Sequence, residues 1–296
     1  MYIYFFQNRG NQKMNTESQW GFKDFRSFSF TMIELMVVIG IILVLAAMLL
    51  PTLAQSKDSA RATFCINNVK NLNLATMMYT HEWERMPAWG SDKTKTFKGL
   101  ARWHGKRSFV SNSAPYDSKG GPLYKYMKGT LVSCPILKDT LNEDQPSEER
   151  GGGGYGYNLY VGSCAYMEDD SESAASYEKG VLLKDIKHPD TTVTFADTAA
   201  NLNSSGELSS IPAAGKLGEY SICLAPFAVN NRSTQTGLGY FDPSIIFRHG
   251  KQSNIGWADG HVDAELITWT LNSGWRDKNL GYWGTKDDNA LFNPLN

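Results

Sequence analysis

The sequence predicts an α+β protein: one long N-terminal helix, apolar enough in its first half to cross a membrane, and a C-terminal head built on an antiparallel β-sheet. Three observations carry this expectation. Residues 35–50 read LMVVIGIILVLAAMLL without a charge, and residues 51–54 extend the run to about the length a spanning helix needs. No Gly or Pro interrupts residues 52–86, and Cys65, Val69, Leu72, Thr76 and Tyr79 recur at helical spacing, so the helix continues with one buried stripe. Strand-like runs at residues 180–186 and 191–196 are followed by turn-rich stretches near 201–206 and 230–239.

Composition narrows the function classes. The chain has 296 residues, 42% of them hydrophobic and 20% charged, with a formal net charge of −1, which excludes wholesale disorder and a basic polyanion-binding domain. No nucleic-acid partner is expected. A mean hydropathy of −0.36 excludes a multi-span membrane protein, so the apolar run is a single local anchor. It is longer than the apolar core of a secretory signal and leads into a helical pattern rather than a cleavage site. Residues 1–29 hold four Lys or Arg against two acids, which keeps the N-terminus cytoplasmic and exports the head. The expected layout is a leader at 1–29, a helix at 30–85 spanning the membrane over about 33–54, and a head at 86–296.

Glu34 sits directly against the apolar run, where an isolated carboxylate costs several kcal/mol. A cut between Ser29 and Phe30 would create an α-amino group one helical turn away, on the same chain or a neighbouring one, to pair with it. That stretch, Phe30-Thr31-Met32-Ile33-Glu34-Leu35-Met36-Val37-Val38-Ile39, resembles the prepilin-type cleavage and methylation motif of type IV pilins and type II secretion pseudopilins. The resemblance implies that a prepilin peptidase cuts between Ser29 and Phe30 and methylates the Phe30 amine. It further implies that Glu34 serves assembly and that Pro51 kinks or locally melts the helix by removing a backbone hydrogen bond. Ser29 stands where the family usually has Gly, and Met14 would give a leader of more typical length than Met1.

The phrase from Ala62 to Leu72 (ATFCINNVKNL), the Cys134-Pro135 pair, Gly154 to Asn158 (GYGYN) and Thr192 to Asp197 (TVTFAD) resemble elements of a pilin-like subgroup abundant in planctomycete and lentisphaera-type bacteria. With gaps, the likeness covers about residues 28–265. His249 and Asp259-Gly260 match the His-x9-Asp-Gly signature of the processing-associated domain of that subgroup. Residues 244–249, 253–258 and 261–267 read as a three-stranded meander, its second turn the Asp259-Gly260 dipeptide. His249 and Asp259 then sit at opposite ends of the middle strand, roughly 20 Å apart, so the element is read as structural, and no metal site is expected. Calcium, which some pilin-like heads bind, is the one ion the resemblance admits; Asp259, His261 and Asp263 lie closer together, but alternation puts His261 and Asp263 on one face and leaves Asp259 in the turn, accepting backbone hydrogen bonds.

Cys65, Cys134, Cys164 and Cys223 are even in number and widely spaced, as disulfides in an exported head would be. Three pairings are open, and free buried thiols are an equal alternative. The resemblance favours Cys65 with Cys134, which would tie stalk to head. The Met77-Met78 pair is expected in the core, as are Trp269, Trp275, Tyr282, Trp283 and Phe292, for which a carbohydrate-binding surface is the alternative. Residues 84–179 read as loop-rich, with glycines at 151–154 and an acidic cluster at 168–172. These glycines lack the context of a phosphate-binding loop, no G-x-S-x-G turn occurs, and His81, His104 and His188 show no zinc spacing. No enzyme activity and no cofactor are expected.

The expected function is structural: a pilin-like or pseudopilin-like subunit of a type II secretion pseudopilus or type IV pilus-like filament. Its partners would be prepilin peptidase, other subunits of its kind and the inner membrane. It would cross that membrane once, with a periplasmic head, before extraction into a filament. The alternative is a membrane-anchored protein that does not polymerise and whose head binds a glycan or a protein.

Overall fold

The computed structural model describes residues 30–91, 99–108, 116–128, 133–140, 151–163, 179–203, 208–212, 215–226, 242–284 and 289–295. Ser29 with the leader, Cys164, the acidic cluster at 168–172, the loop expected near 230–239 and most of the run at 142–154 lie outside them. The architecture is α+β. The chain divides into two units, Met1–Leu53 and Ala54–Asn296.

Helix α1 (Met32–Trp83) crosses that division. Within the first unit its described side chains are exposed, with Ala46 alone half-buried, and it is long and apolar enough to cross a membrane. Pro51 lies inside the helix, which runs through it without melting. The amide that Pro51 lacks costs one backbone hydrogen bond, and the neighbouring Thr52 hydroxyl donates to the Leu49 carbonyl at 2.9 Å. The helix is thus continuous at Pro51, where the resemblance implies a kink or a locally melted turn. Glu84, in the left-handed region at φ 56°, ends α1 and lets the chain turn back.

In the second unit the predicted stripe is the buried face: Cys65, Val69, Leu72, Asn73, Ala75, Thr76 and Thr80 are all buried. Met77 and Met78 are not in the core, being 42% and 58% exposed. Met77 sits at the edge of the buried face, its sulfur against Gly260, and Met78 is the more exposed of the two, so the expectation of full core burial is corrected.

The strands follow in order: β1 (Gly90–Ser91), β2 (Gly99–Arg102), β3 (Gly105–Ser108), β4 (Tyr155–Asn158), β5 (Val193–Asp197), β6 (Ala200–Leu202), β7 (Lys216–Gly218), β8 (Ile222–Cys223), β9 (Ile245–Ile246), β10 (Gln252–Trp257), β11 (Val262–Leu266) and β12 (Leu280–Gly281). A short helix, α2 (Pro135–Thr140), precedes β4, and α3 (Ser273–Asp277) precedes β12. The main sheet has the order β11-β10-β5-β4-β8. Its pairs are antiparallel except β4 with β8.

Three expectations for the head are corrected. Residues 180–186 hold a single 3-10 turn, Leu183–Asp185, rather than a strand. Residues 155–158, read as loop, form the strand beside β5. Residues 201–202 belong to β6. The meander is also rearranged. β10 and β11 pair around the Asp259-Gly260 turn with Gly256 opposite Val262, but the other neighbour of β10 is β5, and β9 pairs with β12 instead.

Packing explains this sheet order. Asn73 of α1 donates to the carbonyls of Trp257 and His261 at 3.1 and 3.2 Å, and its Oδ1 accepts from the Thr194 hydroxyl at 2.5 Å. A Cβ on Gly256 would stand 2.6 Å from Asn73 Nδ2, so only glycine lets the helix approach this closely. At the same end of β5, the buried Asn158 amide donates to the carbonyls of Val193 and Phe292 at 2.8 and 2.9 Å, holding the C-terminal segment to the sheet. Trp275, Tyr282, Trp283 and Phe292 are buried and Trp269 is half-buried. These rings are core, which removes the carbohydrate-surface alternative for them.

Candidate functional site: an N-terminal carboxylate and a buried thiol centre

Two places carry chemistry. The first is the start of α1. The Glu34 carboxylate accepts from the Thr31 amide at 2.9 Å and the Thr31 hydroxyl at 2.7 Å, while the Glu34 amide donates to the Thr31 hydroxyl oxygen at 3.2 Å. This is a reciprocal capping box. Reading Glu34 only as the partner of a new amine overlooked it, although Thr-x-x-Glu ahead of an apolar run is its sequence signal. Glu34 thus has a partner within its own chain before any processing. Phe30 is exposed.

The second place lies inside the head, where α1, the segment before α2, the end of β5 and the turn before β10 converge. Cys65 and Cys134 are both fully buried, with their sulfurs 2.9 Å apart. That separation exceeds a disulfide bond of about 2.05 Å, and both are free thiols. The two cysteines whose pairing the resemblance favours therefore touch without being bonded. Cys223 is a third buried free thiol. His249 is also buried, and the three ligating atoms of Cys65, Cys134 and His249 lie within 4.8 Å of one another.

Charges surround these thiols. Asp197, fully buried, holds the Arg248 guanidinium at 2.6 Å through Oδ1; its Oδ2 accepts from the Asn254 amide at 2.8 Å and stands 3.3 Å from His249 Nε2. Arg248 also donates to the Gly154 carbonyl at 2.9 Å. Cys134 is placed by its own amide, which donates to the Gly153 carbonyl at 2.9 Å. Gly154 takes φ +84°, and a Cβ there would stand 2.2 Å from Leu137, so this glycine lets the loop close over the site.

The electrostatics divide the two thiols. The Cys65 contact, aided by His249 and Arg248, outweighs burial and brings the Cys134 thiol down to about 4. The same contact and burial push Cys65 up. For His249, burial favours the neutral ring, but Asp197 and Cys134 overcome it and raise the imidazole to about 9. Cys134 is thus the more acidic thiol of the pair, and the His249 ring lies within 4.8 Å of both sulfurs.

Two thiols and an imidazole could gather a thiophilic cation or undergo thiol–disulfide exchange. Tetrahedral zinc with bonds of about 2.3 Å keeps two thiolate sulfurs roughly 3.8 Å apart, so sulfurs at 2.9 Å do not have the spacing of a zinc pair. Of the His-x9-Asp-Gly residues, only His249 enters this centre. The carboxylate beside it is Asp197, not Asp259, because β10 separates His249 from the far turn. Gly260 takes φ +98° there. Asp259 accepts from the His261 amide at 3.0 Å, and its Oδ1 and Asp263 Oδ2 stand 2.5 and 3.2 Å from the two ring nitrogens of His261.

Residues 55–116, the packed half of α1 and the start of the head, match a family described as a protein of unknown function, DUF1559. No curated protein and no solved structure matches the chain.

Proposed function

We propose that this chain is a pilin-like structural subunit, cut between Ser29 and Phe30 and assembled through the exposed apolar half of α1 into a secretion pseudopilus or pilus-like filament. One observation carries the reading: a single unbroken helix is apolar and exposed on all sides through Leu53, then becomes one-sided and buried by Cys65. A helix apolar all round needs lipid or other apolar helices about it, and an amphipathic continuation supplies the head with its core. The DUF1559 match falls on that continuation and supports a pilin-like or surface protein. In this reading prepilin peptidase and the inner membrane act first, and copies of the same helix replace lipid afterwards.

The deciding experiment is intact-mass and N-terminal analysis of protein matured in its host. A methylated Phe30 terminus is expected, and a retained leader or any other start overturns the pathway. Shearing the same cells then separates polymerisation from anchoring. Release with surface filaments supports a pilus-like subunit; monomers confined to the inner membrane support the anchored, non-polymerising alternative.

A further inference from the structure

We infer that Cys65, Cys134 and His249 form a thiol–disulfide exchange centre that closes into a Cys65–Cys134 bond as the exported head folds, with the His249 imidazole taking up the Cys134 proton. The inference deepens the proposed function, since it rests on export to an oxidising compartment. It gives the histidine of the His-x9-Asp-Gly element a chemical role.

The geometry supplies each part. The thiols come from α1 and from the loop ahead of α2, 69 residues apart, and already touch. His249 borders Cys134 and is backed by Asp197. The other charged or titratable groups at the site are Arg248, paired with Asp197, and Tyr155, whose hydroxyl accepts from Asn68 at 2.9 Å. The lowered pKa of Cys134 agrees with this arrangement, because a thiolate is the attacking species in exchange.

The step balances as follows. Cys134 gives its proton to His249, and its sulfur attacks a disulfide RSSR, either a small-molecule disulfide or an oxidising protein of the exported compartment. One thiolate RS⁻ leaves and takes the proton back from the His249 imidazolium, becoming RSH. Cys65 then attacks Cys134 Sγ in the mixed disulfide and expels the second RS⁻, which carries off its proton. Two protein thiols lose two electrons and two protons, and RSSR becomes two RSH. Both sulfurs are fully buried, so RSSR reaches Cys134 in a late, local opening of the head that still holds Cys65, Cys134 and His249 together, and the finished bond is then sealed within it. The bond then holds α1 in the head against a pull applied through its apolar half.

The test uses full-length protein matured in its host, unfolded in excess alkylating agent without reductant, then digested and weighed. Cys65 and Cys134 are expected in one cross-linked peptide pair, unalkylated and lighter by two hydrogens, while Cys223 is alkylated. Alkylated Cys65 and Cys134, or a stoichiometric zinc or copper ion released on unfolding, overturns the inference. The state of Phe30 is read on the same sample, so failure of the export reading is seen separately. Reduced protein reoxidised with glutathione disulfide tests His249. Wild type should close at a nearly level rate through neutral pH, whereas His249→Gln should be slower by about tenfold at neutrality and speed up with pH like an ordinary thiol. An unchanged pH profile would show that His249 only fills space.

Discussion

At the scale of single residues, the head is most exposed to damage at Asp197. Its carboxylate is fully buried and is the ion-pair partner of an equally hidden guanidinium, Arg248. Removing one member of such a pair strands the other charge away from water, at a cost of about 3 to 5 kcal/mol. Asp197→Asn is therefore expected to lower the unfolding free energy of the head, measured by urea titration, by that much. A loss below about 1 kcal/mol would mean that water reaches Arg248 in the folded state. Little of this was legible in the sequence. Asp197 closes a recognisable strand and His249 opens a recognisable motif, but their meeting depends on β5 lying beside β10, a pairing that no local pattern encodes. The sequence did show which cysteines belong together by family likeness, yet held no hint that an imidazole completes the group.

At the scale of elements, α1 was the most legible part, because its signals are local. The charge-free run, the stripe beginning at Cys65 and the end near Trp83 are each set by residues within a few turns. The β-elements were harder to read. Residues 155–158 (YGYN) are buried throughout, and a strand buried on both faces has no alternation to reveal it. The start of α1 yields a discriminating pair of variants. Glutamine can replace glutamate in a capping box but carries no charge. If Glu34 acts by pairing with the Phe30 amine, Glu34→Gln and Glu34→Val should both leave membrane insertion intact and cut filament yield alike. If capping is all it does, Glu34→Gln should assemble normally and only Glu34→Val should fail. Filament yield from sheared cells, normalised to membrane-inserted subunit, distinguishes the two.

At the scale of the whole molecule, the division after Leu53 separates an exposed apolar rod segment from the unit that contains the hydrophobic core. A chain beginning at Ala54 is expected to be a soluble monomer by light scattering, with no affinity for vesicles, because it loses the exposed apolar run and keeps the buried stripe. Filaments formed by this truncation would move the assembly determinant into the head. The sheet also bears on life in a crowded array. Its β11 edge carries Asp263 and Glu265, and its β8 edge is only two residues long. Charged or very short borders resist strand addition by a neighbour. In a filament of the proposed kind, heads held side by side would thereby be kept from zipping into amyloid-like stacks, and reversible disassembly would stay open to them.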